Sequence, residues 1–548
     1  MLSIDENHLA YLGWFAAGLA VALGLGWASC RRRPGIGPAD ALLRFAAPVS
    51  LFILAARTAM NLVNLSPMNW SSGRLSPAVG LLHGYSIYQP ADSGPIFNTI
   101  YGPMAYLVYL PAGLFGTPTG ALVAGSFLSH ALILGPVLAL CLAGWGEPGR
   151  GRGRLMGPTL FLCFWACTFQ NPLASVMAVH ADAPALGFGL LAGGMLAVGG
   201  RRTTPSRRAL LGSAICATLA VWSKQTVATL LVLLPLWVLL AHGLATFVRY
   251  CGWLAASMVV ATSAFVGAFG RQALTFNLLV LPKSHPWLAA IDVKKPLLVI
   301  GVEEVAACVP IGLAIGLVLY FSRGRRVVAE EGSPAPTGGF FARVGATLRA
   351  NPWALFAGLG AGMVPLSMLS RIKVGGAINS YAPALYYLCA SACVLLLDWH
   401  ARNRERGLDR INDALKVALL ISPFTPLLLL NGEFLTQIGT IGPISENIQE
   451  QAYRYALKHP GEAYFPWNPL SSLMAEGRAY HFEYGVFDRD LGGFRPDDAH
   501  LRAGLPEKLR MVAYPPNAGM EFVRFAHLPE YWRRVPIPEL PGWICYTR

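Results

Sequence analysis

The side chains in this chain that could hold an anion or move a proton are few, and they recur at the edges of long apolar runs. Arg74, Tyr88 and Asp92 lie in a polar, aromatic-rich segment, Pro67–Gly102, which reads PMNWSSGRLSPAVGLLHGYSIYQPADSGPIFNTIYG. His180 and Asp182 open the apolar run 182–199, and Lys224 and Gln225 sit in the short break between two further runs. Arg371, Lys373 and Asn379 fall between two more; Glu303 and Glu304 lie about two turns into another, preceded by Arg271, Lys283, His285, Asp292, Lys294 and Lys295. Ionisable groups at membrane depth are costly, so they pair with one another or face a cavity. Cations in such places suit the phosphate of a lipid-borne headgroup, and carboxylates suit general-base work. Asp92 and Asp182 are therefore the catalytic candidates. Lys224, Arg371, Lys373, Asn379, Arg74 and Tyr88 are the phosphate- and substrate-binding candidates, with Glu303, Glu304 and His180 secondary.

Each has a purely structural alternative. Asp182, followed by Ala-Pro, is a good helix start. Arg371, Lys373 and Lys224 can snorkel to an interface, and Asp92 in a Pro/Ser/Gly context suits a turn. Glu303 and Glu304 are also read as a pair neutralised by Lys294 or Lys295. Cys163/Cys167 and Cys389/Cys393 are spaced i, i+4 without a nearby His or carboxylate, which favours helix packing over a metal site. No cofactor is identified, and a divalent metal is not indicated.

The elements that must position these residues are membrane spans. Of the 548 residues, 54% are hydrophobic and 13% charged, against roughly 25% charged in soluble domains. The net charge of +14 comes from short basic clusters between apolar runs, a pattern of loops held at the cytoplasmic face. Nucleic-acid binding is excluded as a reading, since no basic fold signature accompanies the charge. A span needs about 20 mostly apolar residues, and twelve are read, at about 9–29, 41–65, 121–145, 155–172, 182–199, 209–222, 226–243, 250–270, 296–321, 351–369, 379–397 and 412–431. Tyr101–Phe115 is too short to cross and holds Pro103 and Pro111, so it is read as an interfacial helix. The acidic MLSIDEN start does not read as a cleavable signal. With both chain ends outside, every strong basic cluster falls inside, and Pro67–Gly102 is extracytoplasmic. Gly189/Gly193 and Gly358/Gly362 are small-xxx-small helix contacts.

Residues 1–431 thus form a polytopic α-helical membrane domain. Residues 432–548 are polar, with Lys/Arg and Asp/Glu nearly balanced, and are read as a small extracytoplasmic α/β module. Its expected elements are a helix at Gln449–Lys458, a strand at Glu462–Trp467, a short helix at Asn468–Glu476 and a strand at Tyr480–Phe487.

The run GLLHGYSIYQPADSGPIFNTIYGPMAYLVYLPAGLFG resembles the first extracytoplasmic loop of the GT-C membrane glycosyltransferases. VHADAPALGFGLLA resembles their Asp-containing span start, WSKQT their short turn with a basic residue, and RIKVGGAINSY a Gly-Gly-x-x-Asn segment of bacterial members. Similarity to aminoarabinose- and protein-mannosyl-transferase-like members implies a multi-pass protein of the bacterial inner (plasma) membrane. It implies transfer of a sugar, with inversion, from a polyprenyl-phosphate carrier to an extracytoplasmic lipid, polysaccharide or protein. The partners so implied are the lipid-linked donor, the acceptor and the bilayer, without nucleic acid. The family's acid early in that loop has no counterpart in NLSPMNWSSGR, and Asp92 is the only carboxylate between residues 41 and 146. Either Asp92 or Asp182 has the role, or transfer is lost. A secondary transporter, and a non-catalytic lipid-linked-sugar binder or polysaccharide ligase, are the alternatives. The sidedness is open to direct test: Ser93→Cys is expected to add labelling by a membrane-impermeant maleimide on intact cells. Labelling that appears only after lysis would invert the topology.

Overall fold

The computed structural model describes residues 6–31, 69–142, 178–199, 205–290, 339–404, 447–516 and 532–548, with scattered positions in 45–56 and 292–296. The spans expected at 155–172 and 412–431 lie outside the described residues, as do Glu303, Glu304 and nearly all of 41–65 and 296–321.

The described membrane part is helical: α1 (Glu6–Arg31), α2 (Asn69–Leu82), α3 (Pro118–Leu142), α4 (Asp182–Gly199), α5 (Arg207–Val221), α6 (Leu230–His242), α7 (Leu244–Phe269), α8 (Phe340–Ala350), α9 (Trp353–Arg371) and α10 (Ala382–Arg404). Five helical segments among the described residues are long and apolar enough to cross a membrane, at Gly13–Arg31, Pro118–Leu140, Gln225–His242, Leu244–Phe269 and Trp353–Arg371. The main apolar core is built from α3, α4, α5, α6, α9 and α10, with Leu186, Leu190, Leu234, Phe356, Tyr386 and Tyr387 fully buried. Glycines in α4 let its neighbours come close. A Cβ on Gly187 would stand 2.1 Å from the Leu132 carbonyl oxygen of α3, and one on Gly193 3.2 Å from Phe356 of α9. Gly362 meets Leu233 in the same way, whereas Gly358 has nothing within 4 Å and serves no such contact.

The expectations for residues 67–115 need correction. The segment Pro67–Gly102 is not loop throughout, because Asn69–Leu82 is helical. Leu75, Ala78 and Val79 pack against Leu470 and Leu473, but residues 71–80 are buried on every side, Ser71, Ser72, Arg74 and Ser76 included, so no apolar stripe marks the helix, and Gly73 and Pro77 are weak helix formers. Tyr101–Phe115 forms two short turns, Met104–Leu107 and Leu110–Leu114, rather than one helix. An unforeseen amphipathic helix, α8, exposes Phe340 and Phe341 and ties Arg349 to the Ala241 carbonyl at the end of α6.

Residues 447–548 carry α11 (Ile448–Lys458), β1 (Ala463–Tyr464), α12 (Pro469–Glu476), α13 (Glu483–Leu491), α14 (Asp498–Ala503), β2 (Met511–Tyr514), β3 (Arg533–Arg534) and β4 (Ile544–Thr547). The four strands run in the order β1-β2-β4-β3, with β1 parallel to β2 and the other pairs antiparallel. Where a strand was expected at Tyr480–Phe487 the chain forms α13 instead. Alternation of Tyr480, Phe482, Tyr484 and Val486 suggests period two, but the buried set Phe482, Val486 and Arg489 follows a helical spacing. The close α3–α4 contact has a measurable counterpart. Gly187→Val must displace backbone and is expected to cost about 1–3 kcal/mol of stability. Gly358→Ala, in open space, should be neutral or gain up to about 1 kcal/mol. Unfolding of the two variants in detergent checks the contrast.

Candidate functional site

Asp182 is the first residue of α4 and has no exposed surface. Lys224 Nζ donates to its Oδ1, Asn379 Nδ2 donates to its Oδ2 at 2.8 Å, and His180 Nδ1 lies 2.8 Å from the same oxygen. The Asp182 amide is also 3.2 Å from His180 Nδ1; a nitrogen that donates to the carboxylate cannot accept from that amide, and the shorter, charged contact decides the tautomer. Each donor sits where an element ends. Lys224 follows the C-cap of α5, in extended backbone before a 3₁₀ turn. Asn379 lies in the turn leading into α10, a turn closed by Arg371 Nη1 donating to the Gly376 carbonyl at 3.0 Å. His180 is held through its main chain, its carbonyl accepting from Tyr109 OH at 2.9 Å.

Tyr101 joins this cluster to a second one. The Lys224 ammonium lies 5.7 Å from its ring centroid, the Arg74 guanidinium 4.9 Å, and the His180 ring 5.4 Å in an edge contact. The ring is held there by its backbone: the Tyr101 carbonyl accepts from buried Tyr88 OH at 2.5 Å. Neighbouring Gly102 also approaches α5 so closely that a Cβ would stand 1.9 Å from the Trp222 carbonyl oxygen. Arg74, buried on α2, donates through Nη1 to Asn98 Oδ1 at 2.5 Å, and Asn98 Nδ2 donates to Asp488 Oδ2 at 2.5 Å. Burial pushes the Asp488 carboxyl up to about 7, against the opposing pull of Arg74 and the Asn98 hydrogen bond.

The sequence candidates therefore separate. Asp182, His180, Lys224 and Asn379 meet directly, and Arg74 and Tyr88 join them through Tyr101. Asp92 is exposed on a turn. It faces Arg489, whose guanidinium burial lowers to about 10 against the pull of that carboxylate, and which donates to the Ala91 carbonyl. Lys373 Nζ donates to the Pro282 carbonyl at 2.6 Å and stacks on Trp287, linking 372–374 to 286–288. Asn98, Tyr101 and Asp488 were not singled out from sequence. The first two lie inside the segment that drew attention. Asp488 carries no local signal among the many acids of the polar C-terminal region.

No model of a known protein family matches the chain, and no curated protein matches its sequence. The chain is similar to solved structures of ArnT from Cupriavidus metallidurans. The apo structure is 13% identical with a TM-score of 0.47, covering 87% of this chain and 93% of that one. The structure bound to undecaprenyl phosphate is also 13% identical at 0.47, covering 98% of each chain.

Removing one partner of a buried ion pair leaves the other uncompensated, at a cost of about 3–5 kcal/mol. Asp182→Ala is expected to lose that much stability, and Asp182→Ala combined with Lys224→Met to recover most of it. Denaturant unfolding in detergent measures both; an unaltered midpoint in the single variant would show that the pair does not hold this end of the bundle together.

Proposed function

We propose that this chain is a membrane glycosyltransferase that moves a sugar from a polyprenyl-phosphate carrier to an acceptor hydroxyl on the extracytoplasmic side. The observation that carries this reading is a pair of buried cations, Lys224 and Arg74, on one tyrosine ring, with the carboxylate Asp182 bound to Lys224. Two cations against the one carboxylate bound to Lys224 leave positive charge at the ring for the phosphate of a sugar phosphodiester. As the carbon–oxygen bond to the phosphate breaks, a second charge develops on the departing oxygen, and preorganised cations stabilise it. Asp182, itself held by Asn379, fixes the direction of Lys224. Apolar helices surround this end of the chain, so the carrier's tail contributes binding at about 0.8 kcal/mol per buried CH₂. The loop and span motifs that resemble the GT-C enzymes include Tyr101, Asp182, Lys224 and Asn379, four of the residues gathered in the site.

In this reading residues 1–431 hold the donor in a bacterial plasma membrane, and residues 432–548 stand over it outside. Hydrogen bonds to charged groups are worth about 1.5–3 kcal/mol. Arg74→Ala and Lys224→Met are therefore expected to weaken binding of undecaprenyl phosphate to the full chain in nanodiscs by about ten- to a hundredfold. Lys458→Ala, which removes only an exposed pair with Glu539, should bind as the wild type does. A wild-type chain that binds no undecaprenyl phosphate would end the carrier reading and favour a transporter or a binder of another ligand.

A further inference from the structure

Attack by a hydroxyl on the donor sugar needs a base, and the two carboxylates singled out from sequence are badly placed to act as one. Asp182 is fully buried, with Lys224 on one oxygen and His180 and Asn379 on the other. Asp92 is exposed and turned toward Arg489. We propose that Asp488, supplied by the C-terminal module, is the catalytic base that takes the proton from the acceptor hydroxyl. This rests on the transferase reading above.

The placement supports it. Asp488 is 2% exposed, and Asn98 holds its Oδ2 at 2.5 Å. Among the described residues no hydrogen bond is seen to Oδ1. One oxygen is thus oriented and the other is left for substrate, the arrangement a base needs. The groups follow one another in the order Lys224, Tyr101, Arg74, Asn98, Asp488. An inverting displacement needs its leaving group and its nucleophile on opposite sides of the reacting carbon. With the phosphate held by Lys224 and Arg74 about Tyr101 and the acceptor at the Asp488 end, the sugar lies between them, beside Asn98.

The step balances. A lone pair of the acceptor oxygen forms the bond to the anomeric carbon, and the bond from that carbon to the phosphate oxygen breaks with its electron pair going to the phosphate. The acceptor's proton passes to Asp488 Oδ1 and later to solvent. The products are the glycosylated acceptor, the carrier monophosphate and a protonated carboxyl.

The groups around Asp488 set its charge. Arg74 faces it from α2, Tyr106 from the turn after Gly102, and Tyr484 from its own helix. His285 Nε2 lies 3.2 Å from its main-chain carbonyl, and Arg489 is turned away to the Ala91 carbonyl. Burial outweighs Arg74, so the carboxyl is protonated below about 7 and ionised above it. The base form is therefore the high-pH form, and the rate must rise with pH through about 7.

The experiment uses the full chain in nanodiscs with undecaprenyl phosphate-linked mannose and aminoarabinose as donors, following release of undecaprenyl phosphate between pH 5 and 9. The wild-type kcat/KM is expected to rise through about 7 and level off. Asp488→Asn should lower kcat about 10²–10⁴-fold and abolish that limb. Its affinity for undecaprenyl phosphate should be retained, since an amide oxygen there still accepts from Asn98. Asp488→Glu should keep part of the rate with a displaced limb. Full activity in Asp488→Asn, or an unchanged acid limb, overturns the assignment and leaves the transferase reading standing. A wild-type chain that neither binds undecaprenyl phosphate nor turns over either donor overturns both.

Discussion

A carboxylate with no exposed surface lies at the end of an apolar bundle, and the arrangement around it follows from keeping that charge satisfied. Asp182 achieves this with three donors from three separate stretches, His180, Lys224 and Asn379. The start of α4, the end of α5 and the entry to α10 are thereby pinned to one point. Removing such a charge from water costs several kcal/mol even after relaxation, so a bundle that lost one donor would have to move or admit water. The consequences extend outward. With the end of α5 fixed, Gly102 can lie against the Trp222 carbonyl, and Tyr101 is carried to the place where Lys224, Arg74 and His180 surround its ring.

The second cluster solves a different electrostatic problem. Arg74 and Asp488 are opposite charges in a buried region, and a direct ion pair would hold the acid ionised far below neutrality. Asn98 stands between them, taking a hydrogen bond from one and giving a hydrogen bond to the other. A neutral amide transmits geometry while diluting the attraction. Burial then prevails, and the carboxyl titrates near 7.

Much of this could be read from the sequence where the signal is local. The run starting at Asp182 coincides with α4, and Lys224 and Asn379 fall in breaks between apolar runs, which is where a bundle exposes its ends. Helix α2 was hidden because it is buried on every side, with Ser71, Ser72, Arg74 and Ser76 inside as well as Leu75, Ala78 and Val79, and so carries no apolar stripe. The α13 region reads as strand or helix equally well until its contacts decide, and the Phe482 amide donates to the Ile96 carbonyl at 2.8 Å. The partnership of Asn98 with Asp488 spans 390 positions. No window along the chain contains both, so no periodicity or spacing could have announced it.

That separation bears on how the molecule is made. The segment 94–98 is laid along the C-terminal region through the Ile96 amide to His481 Nδ1, His500 to the Gly94 carbonyl, and Asn98 to Asp488. Synthesis runs from the N-terminus at about 5–20 residues per second, so this segment emerges some tens of seconds before anything exists for it to bind. The order of translation thus supplies Asp488 last, and a nascent chain stopped short of α13 carries Arg74, Asn98 and Lys224 but not the carboxylate that Asn98 holds.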